Sequence, residues 1–404
     1  MPVHMEGVDH QPGVELLHGL LDEIVWLDRS PFLAASAAAP GMPHVTTLPP
    51  GTVPRLPEGV KRAAVAFAPE HGPAARATAT GAGLALLAPD PAVTALASDK
   101  IDSLPLFGEA GVSTPDHLVV PASGRADASS YRRPHWRAAV VQRRENNLVG
   151  RGTRHAGDRE ELRACMEEWP DRELRVTERL DGWPLTASGC VFADRTLISG
   201  LSYQVVGVPG LAPGWGTHCG NQLPGPNDLP GGTHRRVTRA ARAIGEVLRS
   251  RGFRGVFGID LVLTVPEHRV VAIEINPRFQ TVVSLIQCGE RQAGLLPALG
   301  AHVLALRGVR GLPVRTAEPP ADRWGQFVVH AMRDGPAPVL PSPGRYRLTV
   351  DGHLSGPSEL GAGLPDLGPD EALVWVQTPV GQPVREGDEL LLVQLPGPVV
   401  DPHP

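Results

Sequence analysis

The chain has 404 residues and a formal net charge of -5. One hydrophobic core rarely serves so long a chain, so we expect two or three domains. The small net charge argues against nucleic acid as the main partner. The first residues do not resemble a signal peptide and no apolar run reaches about 18 residues, so we expect a cytoplasmic protein with no membrane partner.

The lysine and cysteine content indicates which kinds of site the protein can contain. Lysine occurs only at positions 61 and 100, and arginine supplies the other positive charges. A lysine kept in such a chain is a candidate for a tight phosphate pocket, which admits a compact ammonium more readily than a guanidinium. The four cysteines form no Cys-x-x-Cys pair, which is typical of a reduced protein without disulfides or a zinc site.

The N-terminal region, residues 1–95, is predicted to be an α/β domain. Residues 14–27 have the composition of a helix, and residues 62–69 and 83–90 are short apolar segments bounded by Gly, Arg, Pro or Asp. Such alternation indicates βα units around a small parallel sheet.

A helix is predicted after Asp99, which can act as its N-cap, with Gly111 at its C-terminal end. Lys100 would then lie at the helix N-terminus, where a cation is unfavourable. A bound anion would offset that penalty, whereas a surface lysine is the simpler alternative.

A strand that contains Gln142 and Arg143 precedes a glycine loop at Gly150, Arg151 and Gly152. Glycines let backbone N–H groups turn towards phosphate oxygens, although a plain hairpin has the same composition. A helix capped by Asp158 follows, and its apolar stripe consists of Leu162, Cys165, Met166 and Trp169. The next strand contains Glu178, Arg179, Leu180 and Asp181.

Residues 210–232 form a long Gly/Pro-rich stretch, which we interpret as a loop that faces the substrate. His218 and Cys219 are adjacent there, but the sequence offers no third residue to complete a catalytic His–Cys nucleophile. The helix after this loop is amphipathic, with Val237, Ala241, Ile244 and Leu248 on its apolar face.

Residues 253–280 are predicted to form a β-hairpin whose polar side chains meet. Asp260 lies on the first strand, and Glu274 and Asn276, two residues apart on the second, point to one face. Carboxylate and amide oxygens suit Mg²⁺, which takes further ligands from phosphates. Arg278 follows two residues later. The alternative interpretation is that these acids are solvated residues at the edge of a sheet.

One or two helices are predicted after the hairpin, up to about residue 308. The remaining residues, 309–404, contain four alternating apolar segments and are predicted to form a small antiparallel β domain.

The residues Asp260, Glu274, Asn276 and Arg278 resemble the metal hairpin of the ATP-grasp superfamily, and the resemblance extends over residues 96–308. It implies an α/β fold with an N-terminal α/β domain, an ATP-grasp domain with a lid at about 134–182, and the C-terminal β domain. It also implies that ATP binds with one or two Mg²⁺ ions, which Mn²⁺ can replace, at Asp260, Glu274 and Asn276.

The resemblance also assigns roles to other residues. Lys100 would bind the nucleotide phosphates and assist catalysis with Arg278, and the glycine loop would cover the triphosphate. The hinge between lid and base would bind adenine through backbone groups of Arg179 and Leu180, with Glu178 or Asp181 near the ribose. The family's second lysine is absent here, and Arg143, backed by Gln142, is our candidate replacement.

The implied activity is ligation of a small-molecule carboxylate to an amine through an acyl phosphate, with release of ADP. A peptide or other amide in natural-product biosynthesis fits, and homodimers are common in the family. The alternatives are a biotin-carboxylase-like or phosphotransfer enzyme, and a nucleotide-binding protein without ligase activity.

Overall fold

The computed structural model of the chain describes most residues beyond position 82 and short segments before it. The described residues are 23–26, 44–47, 63–65, 73–81, 83–122, 131–145, 150–225, 227–292, 295–311, 323–358, 364–378 and 380–401. They form a mixed α/β fold around a large antiparallel sheet, which confirms the fold class expected from the sequence.

Two pairs of short parallel strands are described in the N-terminal region. β1 (Glu23–Trp26) pairs with β2 (His44–Thr47), and β3 (Ala63–Val65) pairs with β4 (Ala85–Leu87). The parallel pairing agrees with the predicted βα units, but the predicted helix over residues 14–27 is wrong where β1 lies. The isoleucine and valine at the centre of β1 favour a strand because their Cβ atoms are branched. The earlier part of that predicted helix lies outside the described residues.

Three helices follow in this part of the chain: α1 (Pro73–Gly81), α2 (Pro91–Ser98) and α3 (Leu104–Glu109). The helix predicted after Asp99 therefore begins later than expected. The Asp99 carboxylate accepts hydrogen bonds from the N–H groups of Ile101 and Asp102, so it caps a turn between two helices. Gly111 has a φ of 64° and ends α3, as predicted.

A four-stranded antiparallel sheet, which we call the small sheet, has the strand order β5–β8–β6–β7. Its strands are β5 (His117–Val120), β6 (Ala139–Arg143), β7 (Thr153–Ala156) and β8 (Leu174–Glu178). The helix α4 (Arg159–Glu167) packs on one face, and its predicted N-cap is confirmed because the Asp158 carboxylate accepts from the first-turn N–H groups. Of the predicted stripe, Leu162, Met166 and Trp169 are buried beside Val141 and Leu174, whereas Cys165 is only half-buried against them.

A ten-stranded antiparallel sheet, which we call the large sheet, has the strand order β13–β12–β9–β10–β11–β14–β20–β18–β16–β17. Its strands are β9 (Gly182–Val191), β10 (Thr196–Val206), β11 (His218–Gln222), β12 (Gly255–Thr264), β13 (Val270–Asn276), β14 (Trp324–His330), β16 (Gly344–Leu348), β17 (Leu354–Ser358), β18 (Glu371–Val376) and β20 (Glu389–Pro396). The strands β15 (Gly335–Pro336) and β19 (Pro383–Val384) form a separate pair.

The helix α5 (Thr233–Ser250) covers one face of the large sheet and determines which side chains point away from it. Its predicted stripe, Val237, Ala241, Ile244 and Leu248, is fully buried. Alternate residues of β12, namely Phe257, Ile259, Leu261 and Leu263, pack in the same cluster. Because side chains alternate along a strand, the residues between them point to the opposite face.

The predicted C-terminal β segments are confirmed as antiparallel strands, but they do not form a sheet of their own. β14 pairs with β11 on one side and β20 on the other, so these strands extend the large sheet. Two helices after the hairpin, α6 (Val283–Gln292) and α7 (Ala298–Leu306), are as predicted. Leu285 and Ile286 of α6 share a core with Trp324 and Leu392 of the C-terminal strands.

The predicted loop over residues 210–232 is wrong at its centre, where β11 lies between β10 and β14. Gly and Pro flank these five residues closely, and no turn chemistry distinguishes them from a loop. Their strand geometry arises from hydrogen bonds to partners distant in sequence. Among the described residues, no helix is both long and apolar enough to cross a membrane.

We expect Leu392→Ala to lower the free energy of unfolding by roughly 2–5 kcal/mol, because this side chain is 1 % exposed in the core shared with α6. Urea unfolding followed by circular dichroism measures the change. The matched control is Leu354→Ala, on a strand of the same region but 40 % exposed, which should change the value by no more than about 0.5 kcal/mol. Independent melting of the C-terminal strands would contradict the shared core.

Candidate functional site

A cavity of about 700 Å³ lies between the small sheet and the large sheet. Its volume is in the range of small-molecule sites, roughly 300–1,000 Å³. The large sheet contributes the polar face of β9, β10, β12 and β13, opposite the face that packs on α5. The predicted residues that line it are Lys100, Gln142, Gly150, Arg151, Glu178, Arg179, Leu180, Asp181, Asp260, Glu274, Asn276 and Arg278.

Asp260 is the centre of a hydrogen-bond network on the cavity face of the large sheet. Its Oδ1 accepts from Thr186 Oγ1 at 2.9 Å, from Gln204 Nε2 at 2.6 Å and from Gln280 Nε2 at 3.0 Å. Its Oδ2 accepts from Asn276 Nδ2 at 3.0 Å. These donors orient the carboxylate and hold it in place.

Thr186, Gln204 and Gln280 were not among the predicted site residues. They lie on β9, on β10 and just after β13, far apart in sequence. A polar residue inside an apolar strand was the available signal, since Thr186 stands between the buried Leu185 and Ala187. Only the strand order shows that these residues converge on one carboxylate.

Glu274 lies directly opposite Asp260 in the hairpin register, as the sequence predicted. Lys100 Nζ lies 2.5 Å from Glu274 Oε2. Burial would raise the pKa of the Glu274 carboxyl, but the charges of Lys100 and Arg175 outweigh it and lower that pKa. Burial, together with the charge on Glu274, raises the pKa of Asp260. The two carboxylates therefore repel each other, and a cation between them would relieve that repulsion.

The donor set fits a magnesium ion. Among the described residues, no group of three or more His, Cys, Asp or Glu side chains is placed to hold a metal ion. Asp260 and Glu274 instead combine with the Asn276 amide, all three facing the cavity. Arg278 Nη2 donates to Asn276 Oδ1 at 3.3 Å and so lies next to this oxygen cluster. Oxygen ligands of this kind are those that Mg²⁺ prefers.

Lys100 lies in the turn between α2 and α3 and is 4 % exposed. Its N–H donates to the carbonyl of Arg144 at 2.8 Å, which ties the turn to the end of β6. Arg144 also donates to Asp99 and Glu173, at 2.7 Å in each case. Contacts with Arg144 thus fix the positions of the charged side chains Asp99 and Glu173 near Lys100.

The two candidates at the end of β6 point in opposite directions. Gln142 lines the cavity, whereas the Arg143 guanidinium lies 5.4 Å from the ring centroid of Trp169 in the core beneath α4. Strand alternation places adjacent residues on opposite faces. Arg143, our first choice to replace the absent lysine, is therefore directed away from the cavity, and Gln142 is the residue of this pair that faces it.

The glycine loop contacts the body of the protein at its end. Gly150 has a φ of 73°, and a Cβ at this position would lie 2.5 Å from the carbonyl oxygen of Gly216. Arg151 forms a 2.6 Å ion pair with Asp388, beside β20. Gly152 is not among the residues that line the cavity, and its carbonyl accepts from the Arg143 N–H in the β6–β7 pair. The loop is thereby held against the large sheet.

The predicted hinge joins β8 to β9 at the rim of the cavity. The Glu178 carboxylate accepts from the Asp116 N–H at 3.0 Å, so this acid holds β5 and β8 together. The Arg179 N–H donates to the carbonyl of Ala138. Arg179 and Leu180 both line the cavity at this rim. Arg179 and Asp181 pair at 3.3 Å.

His218 and Cys219 are separated by the alternation of β11. His218 lines the cavity, and its Nε2 lies 2.9 Å from Asn221 Oδ1. Cys219 is fully buried on the other face, where its thiol donates to the Thr217 carbonyl and burial raises its pKa. A buried thiol of raised pKa is a poor nucleophile, and strand alternation also points Cys219 away from His218.

Residues 97–282 match the ATP-grasp_3 family of ATP-grasp domains. No curated protein matches the sequence significantly. The structure resembles the biotin carboxylase domain of Hydrogenobacter thermophilus 2-oxoglutarate carboxylase, solved with MgADP, ADP and bicarbonate (TM-score 0.66, 11 % identity, 98 % of this chain and 86 % of that one).

Two further solved structures are similar. One is the carboxyaminoimidazole ribonucleotide synthase of Aspergillus clavatus with ATP (TM-score 0.63, 15 % identity, 98 % of this chain and 94 % of that one). The other is the L-amino acid ligase of Bacillus licheniformis (TM-score 0.62, 13 % identity, 98 % of this chain and 93 % of that one). At these identities the similarity is one of fold.

We expect His218 to make the fold less stable in acid. Burial lowers the pKa of this imidazole to about 4, although its contact with Asn221 opposes that shift. The unfolded chain binds this proton near pH 6.5, so the stabilising contribution is complete above pH 6.5 and is lost as the pH falls to about 4. His218→Gln should lose less unfolding free energy over this interval than the wild type, as measured by urea unfolding at each pH. The same substitution at the exposed His353 should leave the pH profile unchanged.

Proposed function

We propose, on the premise that residues 97–282 form an ATP-grasp domain, that the protein is an ATP-dependent carboxylate–amine ligase that releases ADP and phosphate. The observation that carries the proposal is the cluster of Asp260, Glu274 and Asn276 opposite Lys100, inside a cavity closed by two sheets. Carboxylate and amide oxygens beside an ammonium suit a metal-bound polyphosphate.

The nucleotide is proposed to lie across the cavity from hinge to hairpin. Adenine would bind at the rim, where the Arg179 carbonyl and the Leu180 N–H offer one acceptor and one donor. The phosphates would extend to Lys100 and to the metal cluster of Asp260 and Glu274. Mg²⁺ held there would neutralise phosphate charge, and Mn²⁺ has similar ligand preferences.

The proposed reaction has two steps. A carboxylate oxygen of the acid attacks the γ-phosphorus of ATP, and the bond to the β–γ bridging oxygen breaks to release ADP. The amine nitrogen then attacks the carbonyl carbon of the acyl phosphate, a proton leaves the nitrogen, and inorganic phosphate departs. Arg278, beside Asn276, is placed to stabilise the negative charge that develops in both steps.

An acyl phosphate needs protection from water, and several contacts between the small sheet and the body serve this purpose. Arg151 of the glycine loop pairs with Asp388. Trp215 lies in the connection between β10 and β11. Its ring centroid is 5.1 Å from that of His155 and 5.9 Å from the Arg179 guanidinium. We propose that the small sheet is the lid and that these contacts hold it closed.

The substrates are proposed to be small molecules, because the cavity also has to contain the nucleotide. His218 and Asn221, which line the cavity and contact each other, would bind one of them. A natural-product or other biosynthetic amide, a cytoplasmic location and a homodimer remain part of the proposal.

The proposal is tested by measuring ADP and phosphate release with Mg²⁺ over pools of carboxylic acids, each with and without pools of amines. Release that needs both substrates, with a product lighter by one water than their sum, supports ligation. Release with bicarbonate and no amine favours a carboxylase-like reaction instead. Tight ATP binding without ADP formation in any pool indicates a nucleotide-binding protein.

We expect Glu274→Gln to lower kcat by at least about 10²-fold, because it removes one charge from the oxygen cluster that faces the phosphates. The basal assay is ADP release with the best substrate pair. Glu267→Gln, the same substitution at an exposed position of the hairpin turn, is the control and should retain wild-type activity. Turnover by the Glu274 variant within twofold of the wild type would refute the site assignment.

A further inference from the structure

The guanidinium of Arg175 is buried between the two sheets. This residue lies on β8 of the small sheet, is 1 % exposed and lines the cavity. Arginine is rarely buried to this extent without a carboxylate partner. No sequence pattern marked it, because it lies in a strand of otherwise ordinary composition.

All the acceptors that the structure describes for Arg175 are neutral oxygens. Its Nε and Nη2 donate to Gln142 Oε1 at 3.2 and 2.5 Å. Its Nη1 donates to the Lys100 carbonyl at 3.1 Å, and Nη2 also donates to the Ile273 carbonyl at 3.0 Å. Among the described residues, no carboxylate accepts a hydrogen bond from this side chain.

The positive charge of Arg175 is therefore balanced only at a distance. Burial lowers its pKa to about 10, while the charges of Glu274 and Asp99 oppose that shift, so the side chain is charged at neutral pH. Glu274 is already paired with Lys100. A buried charge without a direct partner is costly, and an anion entering the cavity would provide one.

The strand register relates this charge to the residue that replaces the expected lysine. Arg175 and Gln142 are directly paired across β8 and β6, and both point into the cavity. Gln142 carries no charge, and Arg143 points to Trp169 on the other face. Among the described residues of the four strands of the small sheet, Arg175 is the cationic side chain that lines the cavity.

The contacts of Arg175 also place it at the phosphate end of the cavity. Its Nη1 donates to the carbonyl of Lys100, and its Nη2 donates to the carbonyl of Ile273, which immediately precedes Glu274. The guanidinium thus joins the small sheet to the two residues that we assign to the phosphates and the metal.

We propose that Arg175 supplies the positive charge with which the small sheet binds the polyphosphate of the nucleotide, a charge carried on β8 in place of the neutral Gln142 on β6. This inference rests on the proposed function, since it assumes that ATP binds in the cavity. It adds that the charge has moved to the opposite strand at the same point of the register.

The test compares nucleotide affinities of Arg175→Met with those of Gln142→Lys/Arg175→Met, which returns a cation to β6. Dissociation constants for ATP, ADP and adenosine are measured by calorimetry. Charge-assisted hydrogen bonds contribute about 1.5–3 kcal/mol, so Arg175→Met should weaken ATP binding by roughly 10- to 100-fold and leave adenosine binding within about twofold. The double variant should regain at least about tenfold in ATP affinity.

Arg143→Met is the matched control, because it removes a cation from the same sheet at a side chain outside the cavity. Its ATP affinity should stay within about twofold of the wild type. Equal weakening of ATP and adenosine by Arg175→Met, without recovery in the double variant, would show that Arg175 only holds the sheets together. Unchanged ATP binding by Arg175→Met would overturn the inference while leaving the proposed ligase intact.

Two further measurements make the result independent of variant folding and of the proposed function. If the Arg175 variants do not fold by circular dichroism, the ¹⁵Nε–H resonance of the exchange-protected, buried arginine is followed in the wild type. A shift on adding ADP but not adenosine supports the inference, and no shift with either overturns it. A wild type that binds no ATP overturns the proposed function together with this inference.

Discussion

Strand alternation in the hairpin of β12 and β13 is the constraint on which the site depends. The residues that flank Asp260 in β12, Ile259 and Leu261, are buried against α5, so the carboxylate must point to the other face. The cross-strand register then places Glu274 opposite it. A slip of one residue would bury both acids against α5 and expose apolar side chains in the cavity. The apolar core therefore determines where the charges lie.

The charges in turn connect the two sheets. Lys100 comes from the segment before the small sheet and Glu274 from the large sheet, and their 2.5 Å contact is made inside the cavity. Arg175 adds a second link, since its guanidinium donates to the backbone of Lys100 and of Ile273. Desolvated charges interact more strongly than surface charges, so each link constrains how the small sheet sits over the large one.

The elements predicted correctly from sequence carry their own periodicity or capping signals. α5 has a continuous apolar stripe ending at Leu248, α4 begins at its Asp158 cap, and the hairpin alternates on both sides of its turn. β1 and β11 lack such signals, because their geometry depends on partners distant in sequence. The alternation of the C-terminal segments identified them correctly as strands. It could not show that they continue the large sheet, because that continuity depends on partners distant in sequence.

The site shows the same division between local and distant information. Asp260, Glu274 and Asn276 follow from spacing within one hairpin, but the donors that orient Asp260 come from strands defined only by sheet order. The departure at Gln142 was visible in the sequence, yet its neighbour Arg143 was the wrong place to seek compensation, because adjacent strand residues face apart. Compensation for a lost charge is more readily found across a register pair, where two side chains share one face. Arg175, opposite Gln142 on β8, meets that condition, and its burial without a carboxylate partner is the physical sign that distinguishes it from a surface arginine.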